Sequence, residues 1–255
     1  VVIIHRRIRK SEIHRLGPAA VSLGPHGFVE IVSSGAVLPF CGKIEKQRIC
    51  KECRKKILPG EEPRCKKCGK PIREAEKEYC YDCTMIRHVF EEGRSIWIHK
   101  EPVSRAVYAL KYQNRRIYAK AFGEEMADQY GYYLREKKVE LIVPVPLHRK
   151  KMRIRGYNQA ALLAEVLGEI TGISVDEDIL VRVKNTKPLK QLNDKERRRS
   201  IRGAFSVRKS VWAKTIVLID DIYTTGSTLD EAARVLLKAG AEKVYFLTIS
   251  IGQGY

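Results

Sequence analysis

The most informative stretch of the chain is VLIDDIYTTGST at residues 217–228. Its apolar start, with the two residues before it, predicts a buried strand over 215–219. Two carboxylates follow, then a short loop of hydroxyl residues with one glycine, and a helix is predicted over 228–239. Backbone N–H groups and hydroxyls converge where such a helix begins, and the helix dipole attracts an anion there. The stretch therefore predicts a strand–loop–helix unit that binds a phosphate group.

The polar residues of this unit suit the parts of a sugar phosphate. Asp220 and Asp221 suit a sugar diol, either by accepting its hydroxyl protons or through a divalent ion. Gly226 lets the backbone approach the phosphate closely, because glycine has no Cβ atom. The alternative is an acidic strand end followed by a Thr-rich helix cap that binds nothing.

Strands alternate with helices over the C-terminal part of the chain. The spacing of apolar residues predicts helices over 103–133, with an interruption near 113–116, and over 158–169 and 228–239. Further strands are predicted over 141–143, 179–183 and 243–251, with a connector at 84–101 and a long polar loop at 184–202. The alternation predicts an α/β fold, with a mainly parallel sheet flanked by helices.

The composition is that of a globular protein with a strong excess of positive charge. Of 255 residues, 44% are hydrophobic and 31% are charged, which excludes a disordered or collagen-like chain. Lys and Arg number 49 against 30 Asp and Glu, a net charge of +19 that indicates anionic partners. No window holds about 18 uninterrupted apolar residues, so no membrane span is expected. The opening VVIIHRRIRK is unlike a secretory signal.

The seven cysteines all lie between residues 41 and 83, and their paired spacing predicts bound zinc. Two residues between thiolates let both reach one ion, and four sulfur ligands leave no position for water, so a structural role is expected. An internal repeat predicts one complete site, formed by Cys65, Cys68, Cys80 and Cys83. The earlier repeat offers three ligands for a second zinc, Cys41, Cys50 and Cys53, because Leu38 stands in the fourth position.

Two alternatives to this ligand assignment stay open. Cys50, Cys53, Cys65 and Cys68 also have acceptable spacing for one site, and the three cysteines of the earlier repeat can be reduced thiols without metal. In either case the sequence divides into a loosely ordered extension at 1–35, a cysteine-rich zinc module at 36–88 and an α/β domain at 100–255.

Several segments resemble a known family. Residues 217–228 resemble the phosphoribosyl diphosphate (PRPP) binding motif of type I phosphoribosyltransferases. Within that group, the chain is similar to the ComF family of competence-associated bacterial proteins through VPVPLHRKKMRIRGYNQAALLA at 143–164, NTKPLKQL at 185–192 and RRRSIRGAF at 197–205. The cysteine module matches too. The resemblance implies a type I phosphoribosyltransferase-like sheet behind an N-terminal zinc module.

The resemblance also implies a site for PRPP and Mg²⁺. Asp220 and Asp221 would be the catalytic pair that contacts the ribose hydroxyls. The loop that cradles the 5′-phosphate would comprise Thr224, Thr225, Gly226, Ser227 and Thr228. Pyrophosphate would lie against the cations that follow Pro146, which are Arg149, Lys150, Lys151, Arg153 and Arg155. The alternative for this cationic run is a solvated basic edge.

The loop 184–202 and Lys111 are two further candidates for the binding of an anion. The loop 184–202 would be the flexible hood of the fold, and its basic surroundings could clamp an anion. Lys111 is either a further phosphate ligand or an uninvolved helix lysine.

Thr224 stands where purine-salvage members carry an aspartate that donates a proton to the base, which argues against purine salvage.

Two functions follow from these observations. The first is catalysis, in which a phosphoribosyl group is transferred to an unidentified acceptor with loss of pyrophosphate. The second is a module that binds single-stranded DNA during DNA uptake, together with other competence proteins, with a regulatory or vestigial PRPP pocket. Tyr81, Tyr112 and Tyr157 are the candidates for stacking on bases, although packing in the core is expected of each. Zinc thiolates and a PRPP pocket indicate the cytoplasm.

Overall fold

The structure is a computed structural model, and it describes residues 5–6, 20–23, 29–32, 36–42, 44–45, 48–59, 62–74, 76–186 and 194–252. The chain forms two compact units, Val1–Lys55 and Lys56–Tyr255. Most of the extension expected at 1–35 lies outside the described residues, and the domain boundaries expected from the sequence stay a prediction.

The first unit contains short strands. They are β1 (His5–Arg6), β2 (Ala20–Leu23), β3 (Val29–Val32), β4 (Ala36–Val37) and β5 (Ile44–Glu45). The first three form an antiparallel sheet in the order β1-β3-β2, and β4 pairs with β5. Helix α1 (Lys51–Lys56) begins directly after Cys50, so the thiols of the earlier repeat lie around the start of a helix.

The second unit contains the remaining helices and strands. The helices are α2 (Tyr81–Met85), α3 (Val103–Tyr112), α4 (Tyr118–Glu136), α5 (Arg149–Arg155), α6 (Gln159–Thr171), α7 (Asp194–Ile201) and α8 (Ser227–Lys238). The strands are β6 (Gly93–Ile98), β7 (Leu141–Pro144), β8 (Ser174–Val175), β9 (Leu180–Arg182), β10 (Phe205–Val207), β11 (Thr215–Tyr223) and β12 (Lys243–Ile251). None of the helices in the described ranges is long and apolar enough to cross a membrane.

Five strands form the central sheet in the order β6-β12-β11-β7-β8. Each neighbouring pair is parallel, which confirms the predicted α/β fold with a mainly parallel sheet. Leu218 and Phe246 face a core that α8 covers. Ile142 points to the opposite face, where it contacts α6. Because both faces are covered, β7, β11 and β12 contain continuous apolar runs rather than an alternating pattern.

The ends of α6 show how the sequence sets the local structure. Asn158 caps the helix by accepting a hydrogen bond from the backbone N–H of Ala160 at 3.2 Å. Gly172 ends it in the left-handed region, at φ +74°. Between them, Leu163 and Leu167 are fully buried. This helix fixes the direction of the polar residues at its start, which face the cleft described below.

Three parts of the sequence prediction are wrong. The connector at 84–101 contains β6, whose short apolar run SIWI is too brief to show a period. The cationic run at 149–155, where the sequence analysis predicts no helix, forms the helix α5. The predicted polar loop contains α7, which lacks an apolar period because it is mostly polar, with Ile201 buried. Residues 187–193 of that loop lie outside the described residues.

Candidate active site and metal centre

The candidate active site is a cleft of about 430 Å³ at the carboxyl ends of β7 and β11. Ligands of parallel α/β sheets bind at this edge. The lining residues named in the sequence analysis are Lys111, Tyr112, Lys151, Arg155, Asp220, Asp221, Thr224 and Thr228. The structure adds three polar residues, Gln159, Arg182 and Thr186. Segments far apart in the chain therefore meet at the end of the central strand.

Asp221 is held in its ionised form. Its carboxylate pairs with the Lys111 ammonium at 2.9 Å and accepts a hydrogen bond from Nε2 of Gln159 at 2.7 Å. Arg155 donates in turn to Oε1 of Gln159 at 3.1 Å. Burial by itself raises the pKa of Asp221, but Lys111 and Gln159 outweigh it and lower that pKa below its ordinary value.

Asp220 has the opposite electrostatic environment. Burial and the neighbouring charge of Asp221 raise the pKa of Asp220 to about 7. Its Oδ1 atom accepts the backbone N–H of Asp221 at 2.8 Å, which offsets only part of that effect. Two adjacent carboxyls thus differ in charge near neutral pH, and Asp220 is the one that gains most from a bound cation.

The raised pKa of Asp220 predicts that the ligand-free protein loses stability as pH rises. In the unfolded chain this carboxyl ionises near its ordinary pKa of 3.8, whereas in the folded protein it keeps its proton up to about pH 7. Its contribution is therefore fully present below about pH 4 and is lost as pH rises through about 7. Thermal unfolding across this range should show Asp220→Asn gaining stability relative to the wild type at higher pH.

A matched control for this experiment is Asp178→Asn. The Asp178 side chain is 69% exposed, and its ion pair with the exposed Lys209, at 3.6 Å, contributes little to stability. Its unfolding curve should track the wild type at every pH. If the wild type and Asp220→Asn run parallel from acid to neutral pH, Asp220 does not titrate in the folded protein as described.

The loop after the acidic pair forms a small recess at the start of α8. Its lining includes the predicted phosphate residues Thr224, Thr225, Gly226, Ser227 and Thr228. Gly226 adopts φ +76°, and a Cβ atom there would lie 2.7 Å from the Tyr223 hydroxyl. Glycine is therefore required at this position. The first N–H groups of α8 have no intrahelical partner, so they are donors available to an anion.

Helix α5 turns one face of the cationic run toward the cleft. Lys151 and Arg155, four residues apart, line the cleft, whereas Arg149, Lys150 and Arg153 are exposed outside the lining. Burial and the nearby charges of Arg182, Arg155 and Lys111 lower the pKa of Lys151. This local excess of positive charge favours an anion in the cleft.

The structure separates the three stacking candidates. Tyr157 is buried, as expected, and its hydroxyl donates to the Leu110 carbonyl. The expected packing is wrong for Tyr81 and Tyr112, which are 71% and 56% exposed. The guanidinium of Arg155 lies 4.8 Å from the ring centre of Tyr112, at the edge of the cleft.

The residues added by the structure carried little signal in the sequence. Gln159 stands next to the helix cap, where a polar residue is common. Arg182 belongs to the basic segment around the loop, and its Nη2 atom donates to Thr186 at 2.6 Å. Neither position in the chain indicates the cleft, because both side chains reach it only through the packing of α6 and β9.

The cysteines form two clusters of thiols. The sulfurs of Cys65, Cys68, Cys80 and Cys83 lie within 4.8 Å of one another in the second unit. Three of these cysteines are buried and Cys83 is half-buried. A set of four sulfurs fits tetrahedral zinc and leaves no open position, so a structural role suits it. Cys41, Cys50 and Cys53 cluster by the same distance in the first unit. Leu38, the residue in place of a fourth cysteine, is buried.

The second unit is a phosphoribosyltransferase-type domain. One cleft of its parallel sheet is surrounded by an acidic strand end, a hydroxyl loop and a cationic helix. The family model of the phosphoribosyl transferase domain matches residues 155–250. The model of the double zinc ribbon domain matches residues 39–84, a range that contains both thiol clusters. The ribbon match and the clustered thiols together support zinc as the metal of this chain.

Curated relatives identify the family. Competence protein ComFC of Bacillus subtilis is 30% identical over 209 residues, which cover 81% of this chain and 74% of that protein. Competence protein F of Haemophilus influenzae is 36% identical over 151 residues, covering 56% of this chain and 66% of that protein. The chain belongs to the ComF family, with a phosphoribosyltransferase fold and an N-terminal zinc module. It spans just under two thirds of the Haemophilus protein.

A solved structure shows a weak similarity. The purine phosphoribosyltransferase from Pyrococcus horikoshii Ot3 is 19% identical, with a TM-score of 0.32, over 51% of this chain and 73% of that chain. A similarity at this level supports no conclusion about substrate or activity.

Proposed function

We propose that this protein binds PRPP with Mg²⁺ in the cleft and transfers the phosphoribosyl group to a nucleophile. In this reaction a bond forms between C1 of the ribose and the nucleophile. The bond from C1 to the pyrophosphate oxygen breaks, and pyrophosphate leaves with the electron pair. The observation that supports the proposal is the meeting of the acidic pair, the hydroxyl loop and several cations in one cleft.

Each part of PRPP has a complementary group. Asp220 and Asp221 would contact the ribose hydroxyls, and the loop from Thr224 to Thr228 would hold the 5′-phosphate. Lys151 and Arg155 would face the pyrophosphate, whose negative charge grows as the bond to C1 breaks. The exposed Arg149 and Lys150 would attract the anion at longer range.

The residues of the cleft also suit Mg²⁺, which prefers carboxylate and phosphate oxygens. Bound Mg²⁺ would supply positive charge to the pyrophosphate group. Asp220 is the carboxylate available to it, because Asp221 already binds Lys111 and Gln159. Since Asp220 holds a proton up to about pH 7, binding of the cation should release a proton from this residue.

Calorimetry tests this proposal. PRPP added with Mg²⁺ should give binding heat in the wild type, and the heat should vary with the ionisation enthalpy of the buffer because a proton is released. A screen for pyrophosphate release across amine and base acceptors would then identify the nucleophile. A wild type that gives no heat with PRPP and Mg²⁺ would contradict the proposal.

A second candidate function is the binding of single-stranded DNA during DNA uptake. The matched relatives are named competence proteins, and this chain has a net charge of +19. Tyr108 and Tyr112 are 51% and 56% exposed on α3, with ring centres 4.9 Å apart. Exposed aromatic rings beside cations are a typical surface for single-stranded nucleic acid.

This function predicts that Tyr112→Ala weakens oligonucleotide binding about 10-fold, because stacking on one ring contributes about 1–3 kcal/mol. The measurement is a gel shift of single-stranded oligonucleotide at two salt concentrations, with weaker binding at the higher one. Tyr132→Ala is the control, since Tyr132 is 73% exposed on α4 outside the cleft lining. Absence of binding at low salt, or equal loss in both variants, rules out this surface.

The cysteines and the matched relatives support a proposed location and proposed partners. Zinc thiolates require reduced cysteines, and all seven cysteines are free, which supports a cytoplasmic location. Other competence proteins are the proposed partners, because the matched relatives carry that name.

A further inference from the structure

The four-cysteine cluster and the hydroxyl loop share one buried core. Cys65, Cys68 and Cys80 pack in the same cluster of buried side chains as Tyr223 and Leu229. Tyr223 is the last residue of β11 before the loop, and Leu229 lies in the first turn of α8. Both ends of the loop are therefore anchored in the core that contains the cysteines.

Tyr223 links the cluster to the loop through packing. Its ring stacks on Phe246 with centres 4.9 Å apart, and Lys70, two residues after Cys68, lies 5.8 Å from the ring centre. The hydroxyl of Tyr223 lies against Gly226, at 2.7 Å from the position of a Cβ atom. The same hydroxyl also interacts with the Cys68 side chain, so the tyrosine contacts the cysteine cluster directly.

The segment that follows Cys83 holds the first turn of α8. His88 binds Oδ2 of Asp230 through Nδ1 at 3.0 Å, and the backbone N–H of Val89 donates to Oδ1 at 2.8 Å. Cε1 of His88 also lies 3.0 Å from the position of a Cβ atom on Gly226. The same short segment thus contacts the helix start and the glycine of the loop.

The turn between Cys65 and Cys68 is joined to the central sheet. The N–H of Gly93, at the start of β6, donates to the Lys67 carbonyl at 2.9 Å. A Cβ atom on Gly93 would overlap the ring of Phe246, the residue on which Tyr223 stacks. A series of contacts therefore joins the cysteine turn to the edge strand, the strand to Phe246, and Phe246 to the tyrosine before the loop.

From these contacts we propose that zinc at Cys65, Cys68, Cys80 and Cys83 holds the loop 224–228 in its phosphate-binding conformation, through Tyr223 and His88. The zinc site is then a positioning element of the phosphate site as well as a structural one. Zinc and phosphate bind at separate places, so each should strengthen the binding of the other by the same factor. The part of the proposal that concerns phosphate rests on the proposed function.

Hydrogen exchange of the full chain tests the link without any phosphate ligand. After removal of zinc by a zinc-selective chelator under reducing conditions, the amides of 224–230 should exchange at least about 5-fold faster. The amides of β7 and α6 serve as an internal reference, because a general loss of stability speeds their exchange too, and the loop should rise at least about 5-fold more than they do. Equal exchange in the loop with and without zinc, or a uniform rise over the whole sheet, would overturn the proposal.

A matched pair of variants tests the named contacts. His88→Phe keeps the stacking on Phe90, whose ring centre is 4.7 Å away, but removes the bond to Asp230. It should bind zinc at the wild-type stoichiometry while its loop exchanges as fast as in the zinc-free wild type. Tyr245→Phe, a buried ring on β12 outside the loop, should behave as the wild type. If zinc still slows loop exchange in His88→Phe as much as in the wild type, His88 does not link the zinc site to the loop.

The reciprocal measurement uses PRPP with Mg²⁺ as the probe. Saturating PRPP should slow the transfer of zinc to the chelator at least about 5-fold in the wild type, and much less in His88→Phe. If PRPP does not bind but loop exchange still depends on zinc, the proposed function fails and the link between zinc and loop stands. If PRPP binds and leaves zinc transfer unchanged, the link fails and the proposed function stands.

Discussion

Asp220→Asn and Asp221→Asn should each weaken binding of PRPP with Mg²⁺ about 10–100-fold, yet change the stability of the free protein in opposite directions. Each substitution removes a charged acceptor, and hydrogen bonds to charged groups contribute about 1.5–3 kcal/mol. The double variant should therefore show no measurable binding. Calorimetry measures the loss of affinity.

The opposite effects on stability follow from the different partners of the two carboxyls. Asp221→Asn leaves the Lys111 ammonium, only 17% exposed, without its ion pair, so a loss of about 3–5 kcal/mol is expected. Asp220→Asn removes a carboxyl that Asp221 repels, so stability near pH 8 should rise. Thermal unfolding of the ligand-free variants measures both effects.

The exposed Asp178→Asn serves again as the control and should retain wild-type affinity and stability. If the double variant binds PRPP as strongly as the wild type does, PRPP binds at a site that does not involve the two aspartates. An Asp221→Asn protein as stable as the wild type would show that the pair with Lys111 does not stabilise the fold.

Cys68→Ser should release zinc and greatly lower the melting temperature of the unit Lys56–Tyr255, whereas Cys53→Ser should leave that transition unchanged. Cys68 is fully buried in the core beside the central sheet. Structural zinc binds with about 10–16 kcal/mol in small zinc domains, so loss of one of four ligands removes a large part of that stabilisation. Cys53 belongs to the other unit, in a cluster of three thiols.

Zinc content by native mass spectrometry and thermal unfolding by calorimetry measure this difference. Addition of a chelator to the wild type should reproduce the effect of Cys68→Ser on the second unit. A Cys68→Ser protein that keeps its zinc and its melting temperature would show that the four cysteines are not the ligands.

Most of the sheet was predictable because its strands are apolar and separated by helices with a clear period. The predicted break near 113–116 lies between α3 and α4, and the strand at 243–251 has the bounds of β12. The sequence analysis did not predict β6, which has six residues, or α7, which has eight. Neither segment has a clear apolar period. Their structure depends on neighbours in space.

The site was predictable only where its chemistry is local in the chain. The acidic pair and the hydroxyl loop are consecutive, so their types and order indicate a phosphate site without any coordinates. The choice of Lys151 and Arg155 from the cationic run required the helix α5, because a helix turns residues four apart to one side.

By itself, the sequence determined the α/β class, the zinc-binding spacing of the cysteines and the loop that follows the acidic strand end, since each is a short pattern within the chain. Only the tertiary structure showed that Lys111 and Gln159 hold Asp221 in its charged form, and that the chain after Cys83 binds the first turn of α8. Those contacts join residues tens to more than a hundred positions apart. The packing of the sheet and helices creates these contacts. A local sequence pattern does not indicate which distant side chains will meet in the folded protein.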